Sequence, residues 1–239
     1  MTEPDVIFSD DGSVLLVHPD YQEKVGPRWF DPAFWGKQAI PVSSGGRGNA
    51  WFVRLDSEPS LVLRWYQRGG LVARLSRFSY VYTGLQRARA FTEFRILFRL
   101  FEQGFPVPRP IAARVQHHRG VLYQGGIITQ QIEGAVPLAD RINRLSPDNW
   151  RHLGTVIRKF HDACVFHADL NCFNILLQGE QFFLIDFDKG RIMPATGSGH
   201  WQRANLKRLL RSLEKIADRA AVSRVWVWLL EGYQRSKPL

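Results

Sequence analysis

The apolar positions change their spacing about halfway along the chain. Short apolar or alternating runs in the first 130 residues predict β-strands, interrupted by one helical repeat from Leu85 to Phe101. Beyond them, apolar residues recur at helical spacing from Trp150 to Phe160 and in the stretches 202–219 and 221–233. This pattern predicts an α+β protein with a strand-rich first part and a mostly helical second part. The predicted strands of the first part are Val14–Val17, Trp51–Leu55, 61–66, Ile111–Gln116 and Val121–Ile132.

Two local signals add detail to the predicted second part of the chain, namely a helix start and a β-hairpin. Ser146 and Pro147 are predicted to be the N-cap and the first residue of the helix with the Trp150 to Phe160 stripe. The apolar runs 173–177 and 182–186 are separated only by a short polar segment, which predicts a β-hairpin.

The chemistry-bearing residues cluster around this hairpin in a definite order. Asp169 follows His167 by two positions, Asn174 follows Asp169 by five, and Asp186 comes at the end of the second apolar run. This order is that of the catalytic core of protein-kinase-type enzymes. The Asp169 carboxylate can orient an acceptor hydroxyl and take its proton, while the oxygens of Asn174 and Asp186 suit Mg²⁺. A surface loop with two capping carboxylates would carry the same residues, but the hairpin context favours a kinase.

A glycine-rich stretch precedes the strand Trp51–Leu55. Gly45, Gly46 and Gly48 lie within the segment 43–49. Glycines between strands let backbone N–H groups approach phosphate oxygens, because no Cβ stands in the way. A plain tight turn has the same composition, but the position upstream of the catalytic aspartate favours a site for the phosphates of ATP.

The next strand carries Arg64 where kinases of this type carry a phosphate-binding lysine. No lysine lies between Lys37 and Lys159, so none nearby can substitute. A guanidinium can pair with phosphate and with a glutamate together. Glu93, within the predicted helix, is the expected partner, and Glu102 near the helix end is the competitor.

The segment 130–134 is predicted to connect two lobes. We expect an antiparallel-sheet N-lobe with one helix at 1–130, a hinge at 131–134 and a mostly helical C-lobe at 135–239. In such a hinge, backbone groups near Gln131 and Glu133 would hydrogen-bond the adenine edge of ATP. This prediction comes from position alone, since backbone recognition leaves side-chain identity uninformative.

The chain resembles the bacterial 3-deoxy-D-manno-octulosonic acid (Kdo) kinases, in the lipopolysaccharide-core kinase branch of the protein-kinase-like two-lobed fold. The motif shared by kinases carries the resemblance to the fold, and the arginine-rich VLRWYQRGG points to this branch. The segments that carry the resemblance are 43–53, 62–71, 89–97, 167–177 and 185–191.

The resemblance implies a substrate and a place in the cell. The acceptor would be the 4-hydroxyl of Kdo on a lipid A precursor, phosphorylated with ATP and Mg²⁺. The protein would be a peripheral protein on the cytoplasmic side of the inner membrane. The residues themselves support a narrower statement, which is an anionic acceptor that is not a peptide.

Composition agrees with an anionic partner. The formal net charge is +10, with 25 arginines against 7 lysines among 239 residues. A basic surface favours an acidic lipid, a phosphorylated substrate or nucleic acid; with the kinase motif present, we expect no nucleic acid. A GC-rich genome explains the arginine bias but not the net excess of positive charge.

No run approaches the ~20 apolar residues that span a bilayer. Cys164 and Cys172 are expected to be reduced thiols.

Three departures from regulated protein kinases argue against a protein substrate. Ala168 stands where an arginine would pair with a phosphorylated activation loop, and no Ala-Pro-Glu motif follows Arg191. Asp188 replaces the glycine of the metal motif, either as a further metal-side carboxylate or as a turn residue. We therefore expect a small or lipid-linked acceptor, with Arg68, Arg191 and Arg203 as candidate contacts for its charges.

Several alternatives stay open at this point. The basic segment 67–84 is either a solvated loop or a contact for an anionic ligand, and the helix 202–219 either lies on an anionic bilayer or packs with a solvated basic face. Rival functions are a heptose kinase, another small-molecule kinase, or a non-catalytic pseudokinase-like module that binds membrane or nucleic acid. Arg64 is the best support for the last.

Overall fold

The computed structural model describes residues 3–42, 49–55, 59–66, 80–118, 121–194 and 199–235. The chain divides into two compact units. The first unit comprises Met1–Gln103 and Pro108–Gln131, and the second comprises Gly104–Val107 and Ile132–Leu239. The short segment Gly104–Val107 therefore belongs to the second unit, although it lies within the stretch that the sequence assigns to the first lobe.

The first unit is built on one antiparallel sheet. Its hydrogen-bonded order is β1-β2-β7-β8-β5-β4-β3, and β6 pairs with β8. Most strands are short, and β7 and β8 are the long central pair. The bounds are β1 Asp5–Phe8, β2 Ser13–Val17, β3 Ala39–Pro41, β4 Ala50–Val53, β5 Leu61–Trp65, β6 Tyr80–Val81, β7 Pro110–His118 and β8 Leu122–Gln130.

The strand β5 faces two different environments because its side chains alternate. Leu61 and Leu63 are fully buried in an apolar cluster with Phe30, Ile111 and Ile128. Arg64 projects to the other side, towards helix α2, Arg89–Glu102. Helix α1, Pro32–Trp35, is a single turn.

The helix of the first unit begins later than its periodicity predicts. Leu85–Arg87 form a 3₁₀ turn rather than the first turn of α2, and Ala88 is extended with φ −63° and ψ 129°. Gly84, at φ 107°, adopts a conformation that side chains disfavour. These two residues interrupt the helical path, so the apolar pattern upstream of Arg89 does not continue the helix.

The second unit is mainly helical. The helices are α3 Pro147–Asp162, α4 His200–Leu213 and α5 Arg219–Arg235. Two small antiparallel sheets accompany them, β10 Val165–Phe166 with β13 Arg191–Ile192, and the order β12-β11-β9 formed by Gln181–Leu184, Ile175–Gln178 and Val136–Pro137. The predicted hairpin is present as β11 and β12.

The ends of two second-unit helices illustrate how capping sets boundaries. The Ser146 hydroxyl accepts a hydrogen bond from the Asn149 N–H, and the Asn149 side-chain oxygen accepts one from the Ser146 N–H. Helix α3 therefore begins with a capping box where the sequence predicts. The predicted helix 202–219 instead stops at Leu213. The Asp218 carboxylate accepts hydrogen bonds from the backbone N–H groups of Ala220 and Ala221 and so starts α5.

Candidate active site

His167 is the structural centre of the loop that carries Asp169. Its side chain is buried, its Nδ1 accepts a hydrogen bond from the Asp169 backbone (3.2 Å), and its Nε2 lies 2.9 Å from the Ile185 carbonyl oxygen. These partners require a neutral ring with the proton on Nε2, and burial lowers the pKa of His167, which favours the same neutral form. Phe187 packs against the ring at 4.7 Å.

Asn205 clamps the backbone of the same histidine. Its side-chain oxygen accepts a hydrogen bond from the His167 N–H (3.2 Å), and its side-chain nitrogen donates to the His167 carbonyl (2.8 Å). Because Asn205 is buried on α4, it fixes the catalytic loop to that helix. Nothing in the local sequence around His167 points to this residue.

Two asparagines hold the backbone of Asp169 in place. The Asn171 and Asn174 side-chain nitrogens both donate to the Asp169 carbonyl, at 3.1 and 2.9 Å. The Asn171 oxygen accepts the backbone N–H groups of Phe173 and Asn174. These turn contacts explain why β11 begins at Ile175 and not at Phe173.

The Asp169 carboxylate itself is half-exposed and forms an ion pair with Arg208 on α4, at 3.1 Å. Because the carboxylate is half-exposed, a hydroxyl group that arrives from solvent can reach it and give it a proton. Sequence analysis missed Arg208 as a site residue, because a position 39 residues away gives no local signal.

Asp186 lies two residues after the end of β12 and is in the left-handed region, with φ 64°. The chain turns sharply there. Aspartate is one of the few residues other than glycine that adopt this conformation with some frequency. The preceding residue, Ile185, donates its N–H to the Asn174 carbonyl at 3.0 Å. This hydrogen bond ties the backbone of Asn174 to the residue that precedes Asp186.

These two residues fit Mg²⁺ by their chemistry. The Asn174 side-chain nitrogen is engaged with Asp169, so its oxygen is the atom that can face a cation. An amide oxygen and a carboxylate are hard ligands, and Mg²⁺ is commonly held by one or two such residues together with phosphate oxygens. Within the described ranges, there is no group of three or more His, Cys, Asp or Glu side chains that could hold a metal ion.

Asp188 lies in the turn that follows. The positive φ in this turn is at Lys189 (61°), and the Gly190 N–H donates to the Phe187 carbonyl at 2.8 Å. The turn therefore needs no glycine at position 188. The backbone thus places Asp188 in a turn, and a role of its carboxylate beside a metal ion stays a prediction.

The first unit contains the predicted arginine–glutamate pair. One terminal nitrogen of Arg64 lies 2.6 Å from each carboxylate oxygen of Glu93, and the Tyr66 hydroxyl donates to the same carboxylate at 2.5 Å. Glu93 is buried, whereas the Arg64 side chain is 27% exposed. The pairing with Glu93 rather than Glu102 is confirmed.

Tyr66 is a second residue that sequence analysis missed. It lies two positions after Arg64, and the Arg64 guanidinium stacks over its ring at 4.9 Å. Period-two alternation along the strand could have found it, since residues i and i+2 share a face.

The remaining predicted nucleotide contacts are only partly described. Gly45, Gly46 and Gly48 lie outside the described residues. The Gln131 N–H donates to the Ser60 carbonyl, and the Glu133 carbonyl accepts from the Gln178 side chain. These two backbone groups have partners within the protein, so the expected adenine contact stays a prediction.

The three arginines expected to meet the acceptor differ in position. Arg191 is exposed on β13, and Arg203 is exposed on the first half of α4. Arg68 lies outside the described residues. The basic residue that the structure brings to Asp169 is Arg208, from the second half of α4.

Comparison with solved structures defines the class of fold. The chain is similar to WaaP in complex with acyl carrier protein, with a TM-score of 0.57 and 17% identity over 93% of this chain and 89% of that one. It is also similar to a glucosamine kinase in complex with glucosamine, ADP and inorganic phosphate, with a TM-score of 0.52 and 13% identity over 96% and 78%. The fold is therefore protein-kinase-like, as predicted.

Sequence comparison identifies the family within that class. Residues 32–233 match the lipopolysaccharide kinase (Kdo/WaaP) family, and the chain belongs to it. It is a kinase, a phosphotransferase with an alcohol group as acceptor, which rules out the pseudokinase-like alternative.

Three relatives to which the chain is similar carry the same name. A 3-deoxy-D-manno-octulosonic acid kinase of Stenotrophomonas maltophilia (strain K279a) is 46% identical over 82% of this chain and 78% of its own length. One of Xylella fastidiosa (strain M23) is 45% identical over the same shares. The kinase of that name from Haemophilus influenzae (strain PittEE) is 36% identical over 95% and 99%.

Proposed function

We propose that this protein transfers the γ-phosphate of ATP, with Mg²⁺, to the 4-hydroxyl of Kdo on a Kdo-bearing lipid A precursor during assembly of the lipopolysaccharide core. The observation that carries the proposal is the likeness to the Haemophilus influenzae Kdo kinase over 95% of this chain and 99% of that one. The placement of Asp169, Asn174 and Asp186 on one organised loop and hairpin supports it.

The proposed chemistry requires one base. The Asp169 carboxylate accepts the proton of the sugar hydroxyl while the hydroxyl oxygen attacks the γ-phosphorus. A new oxygen–phosphorus bond forms, the bond from phosphorus to the β–γ bridging oxygen breaks, and ADP leaves with the electron pair. The neutral His167 holds the backbone of Asp169 in place by accepting a hydrogen bond from the Asp169 N–H.

Charge on the triphosphate must be neutralised during transfer. Asn174 and Asp186 would hold Mg²⁺, which supplies that neutralisation when bound. Arg64, oriented by Glu93 and Tyr66, would bind phosphate oxygens through its exposed edge. Arginine performs this role with a planar, bidentate group where most kinases use lysine.

We further propose that the protein works on the cytoplasmic face of the inner membrane as a peripheral protein. In the part of the chain that the structure describes, no helix has the length and apolar character needed to cross a bilayer. The net charge of +10 favours an anionic surface. On α4, Leu209 and Leu213 are buried whereas Arg203, Lys207, Arg208 and Arg211 are exposed, so the packed helix also presents a basic face.

Phosphate transfer by an Asp169→Asn variant tests the proposed chemistry. The variant keeps the shape of the side chain but cannot accept the proton, so we expect the rate of transfer from ATP to Kdo-bearing lipid A precursor to fall about 10³-fold. Asp140→Asn, which changes an exposed carboxylate of the same unit, is the control and should retain wild-type activity. Undiminished transfer by Asp169→Asn would refute the role of this residue.

A further inference from the structure

An open cavity of about 530 Å³ adjoins the Asp169 carboxylate. The described residues that line it all belong to the second unit and come from the loop of Asp169, from α4 and from the turn after α4. The lining residues are Asp169, Asn171, Phe173, Arg208, Arg211, Ser212, Lys215 and Ile216. A molecule in this cavity would therefore lie beside the base that the proposed reaction uses.

The cavity carries more positive charge than its own carboxylate balances. Arg208 pairs with Asp169. Among the described residues, no acidic side chain forms an ion pair with Arg211 or Lys215, and both are exposed. The cavity therefore offers two cations to a negatively charged ligand.

The spacing of these cations matches a small ligand. Arg208 and Arg211 are three positions apart on α4, so their side chains leave the helix about 5 Å from each other on one face. Lys215 follows in the turn after Leu213. A single sugar ring that bears both a hydroxyl and a carboxylate can place the hydroxyl at Asp169 and the carboxylate at Arg211.

The apolar side chains of the cavity suit the rest of such a sugar. Phe173 exposes 52% and Ile216 exposes 40% of their surface, and both line the cavity. Binding pockets combine apolar and aromatic walls with a few polar groups that fix orientation. Phe173 can cover the C–H face of such a ring.

We propose that this cavity is the acceptor site and that Arg211 and Lys215 bind the carboxylate of the acceptor sugar acid. The inference rests on the proposed function and names the residues that select an acidic sugar. A phosphate elsewhere on a glycolipid offers the same charge, but it sits on a different sugar from the reacting hydroxyl. Because Arg211 lines the same cavity as the Asp169–Arg208 pair, one sugar ring can reach both, which favours the carboxylate.

Arg211→Gln and Lys215→Gln test the assignment against a matched control. Each removes one cation from the cavity, and we expect each to raise the KM for Kdo-bearing lipid A precursor about tenfold. The kcat should stay within about twofold and the KM for ATP should not change, because the base is untouched. Arg224→Gln makes the same change at an exposed position of α5 outside the cavity and should behave as wild type.

A water-soluble methyl glycoside of Kdo separates the two sources of negative charge. This glycoside has the carboxylate but no lipid phosphate, so the proposal predicts the same rise in KM for it in both variants. If the effect of Arg211→Gln and Lys215→Gln is confined to the phosphorylated glycolipid, the cations bind phosphate and the proposal is wrong.

Equilibrium binding of the same glycoside, measured without ATP, keeps this inference distinct from the proposed function. Weaker binding to Arg211→Gln and Lys215→Gln than to Arg224→Gln would support the acceptor site even without turnover. Equal binding to all three variants would overturn it while leaving wild-type phosphate transfer, and hence the proposed function, intact. Binding without transfer by the wild type would refute the proposed function alone.

Discussion

Single side chains hold the active-site loop in shape through hydrogen bonds to its backbone. Asn171 and Asn174 converge on the Asp169 carbonyl, and Asn205 bonds both backbone groups of His167. A loop with so many backbone partners has little freedom to move. The backbone of Asp169 is therefore positioned before any ligand arrives, which would reduce the entropy lost on binding.

The Arg64–Glu93 pair makes a prediction for nucleotide binding. Glu93→Gln removes the charge that orients Arg64, so we expect the KM for ATP to rise several-fold and the free energy of unfolding to fall by about 2 kcal/mol. ATP kinetics and urea unfolding measure the two effects. Glu102→Gln, at the end of the same helix, is the control. Unchanged KM for ATP in Glu93→Gln would show that the pair has no part in binding ATP.

His161 makes a prediction for pH. Burial lowers its pKa to about 4, from an ordinary value of 6.5. Between these two values the unfolded chain binds a proton that the folded protein excludes, so stability falls as the pH falls from 6.5 towards 4, by about 3 kcal/mol. Urea unfolding at several pH values measures this loss.

A His161→Phe variant isolates that contribution from other groups. It should unfold with a weaker dependence on pH over the same window than the wild type. The exposed His152, replaced in the same way, is the control and should leave the wild-type dependence in place. Identical pH dependence in His161→Phe and wild type would contradict the assignment.

Among the elements, α3 and α5 depend on two glycines for their close packing. A Cβ at Gly154 would lie too close to the Leu229 carbonyl oxygen, and one at Gly232 too close to the Arg151 carbonyl oxygen. Backbone atoms cannot move aside without shifting a helix. Glycine at these positions therefore sets the distance between the helices, despite its cost to helix propensity.

Gly154→Ala should destabilise the protein by about 3 kcal/mol, the upper part of the usual range for overpacking. Thermal or urea unfolding measures the loss. Gly26→Ala is the matched control, because a Cβ there meets no atom within 4 Å and the backbone is extended at φ −131°. Equal stability of the two variants would mean that α3 and α5 can separate without cost.

Element types were easier to predict from the sequence than element ends. The stripe from Trp150 to Phe160 and the Ser146 cap predicted α3, because periodicity and capping are local properties. The start of α2 at Arg89 depends on the extended Ala88, which has no signal in its residue type. Helix α4 ends at Leu213, before the predicted end, and Asp218 caps the next helix. The spacing of apolar residues does not reveal such a boundary between two helices.

At the scale of the whole molecule, the site combines residues that are local in sequence with residues that are not. In the second unit, the kinase motif predicted Asp169, Asn174 and Asp186 as site residues. Asn205 and Arg208 reach the same loop from α4, and only folding brings them there. The acceptor cavity depends on this second group, so its chemistry could not be derived from motifs.

The net charge of +10 makes a prediction for membrane association. The protein should sediment with vesicles that contain phosphatidylglycerol and should not sediment with vesicles of phosphatidylcholine alone. Raising the salt to about 0.5 M should release it, since screening weakens attraction between exposed charges. Binding that ignores both lipid charge and salt would contradict a peripheral, electrostatic attachment.

The most direct test of the central claim compares two acceptors that differ only in Kdo. Purified protein with ATP and Mg²⁺ is given lipid A precursor with and without Kdo, and the position of any new phosphate is mapped. We predict one phosphate on the 4-hydroxyl of Kdo in the first case and none in the second. Phosphorylation of the Kdo-free lipid, or of neither lipid by protein that binds ATP, would contradict the proposed acceptor.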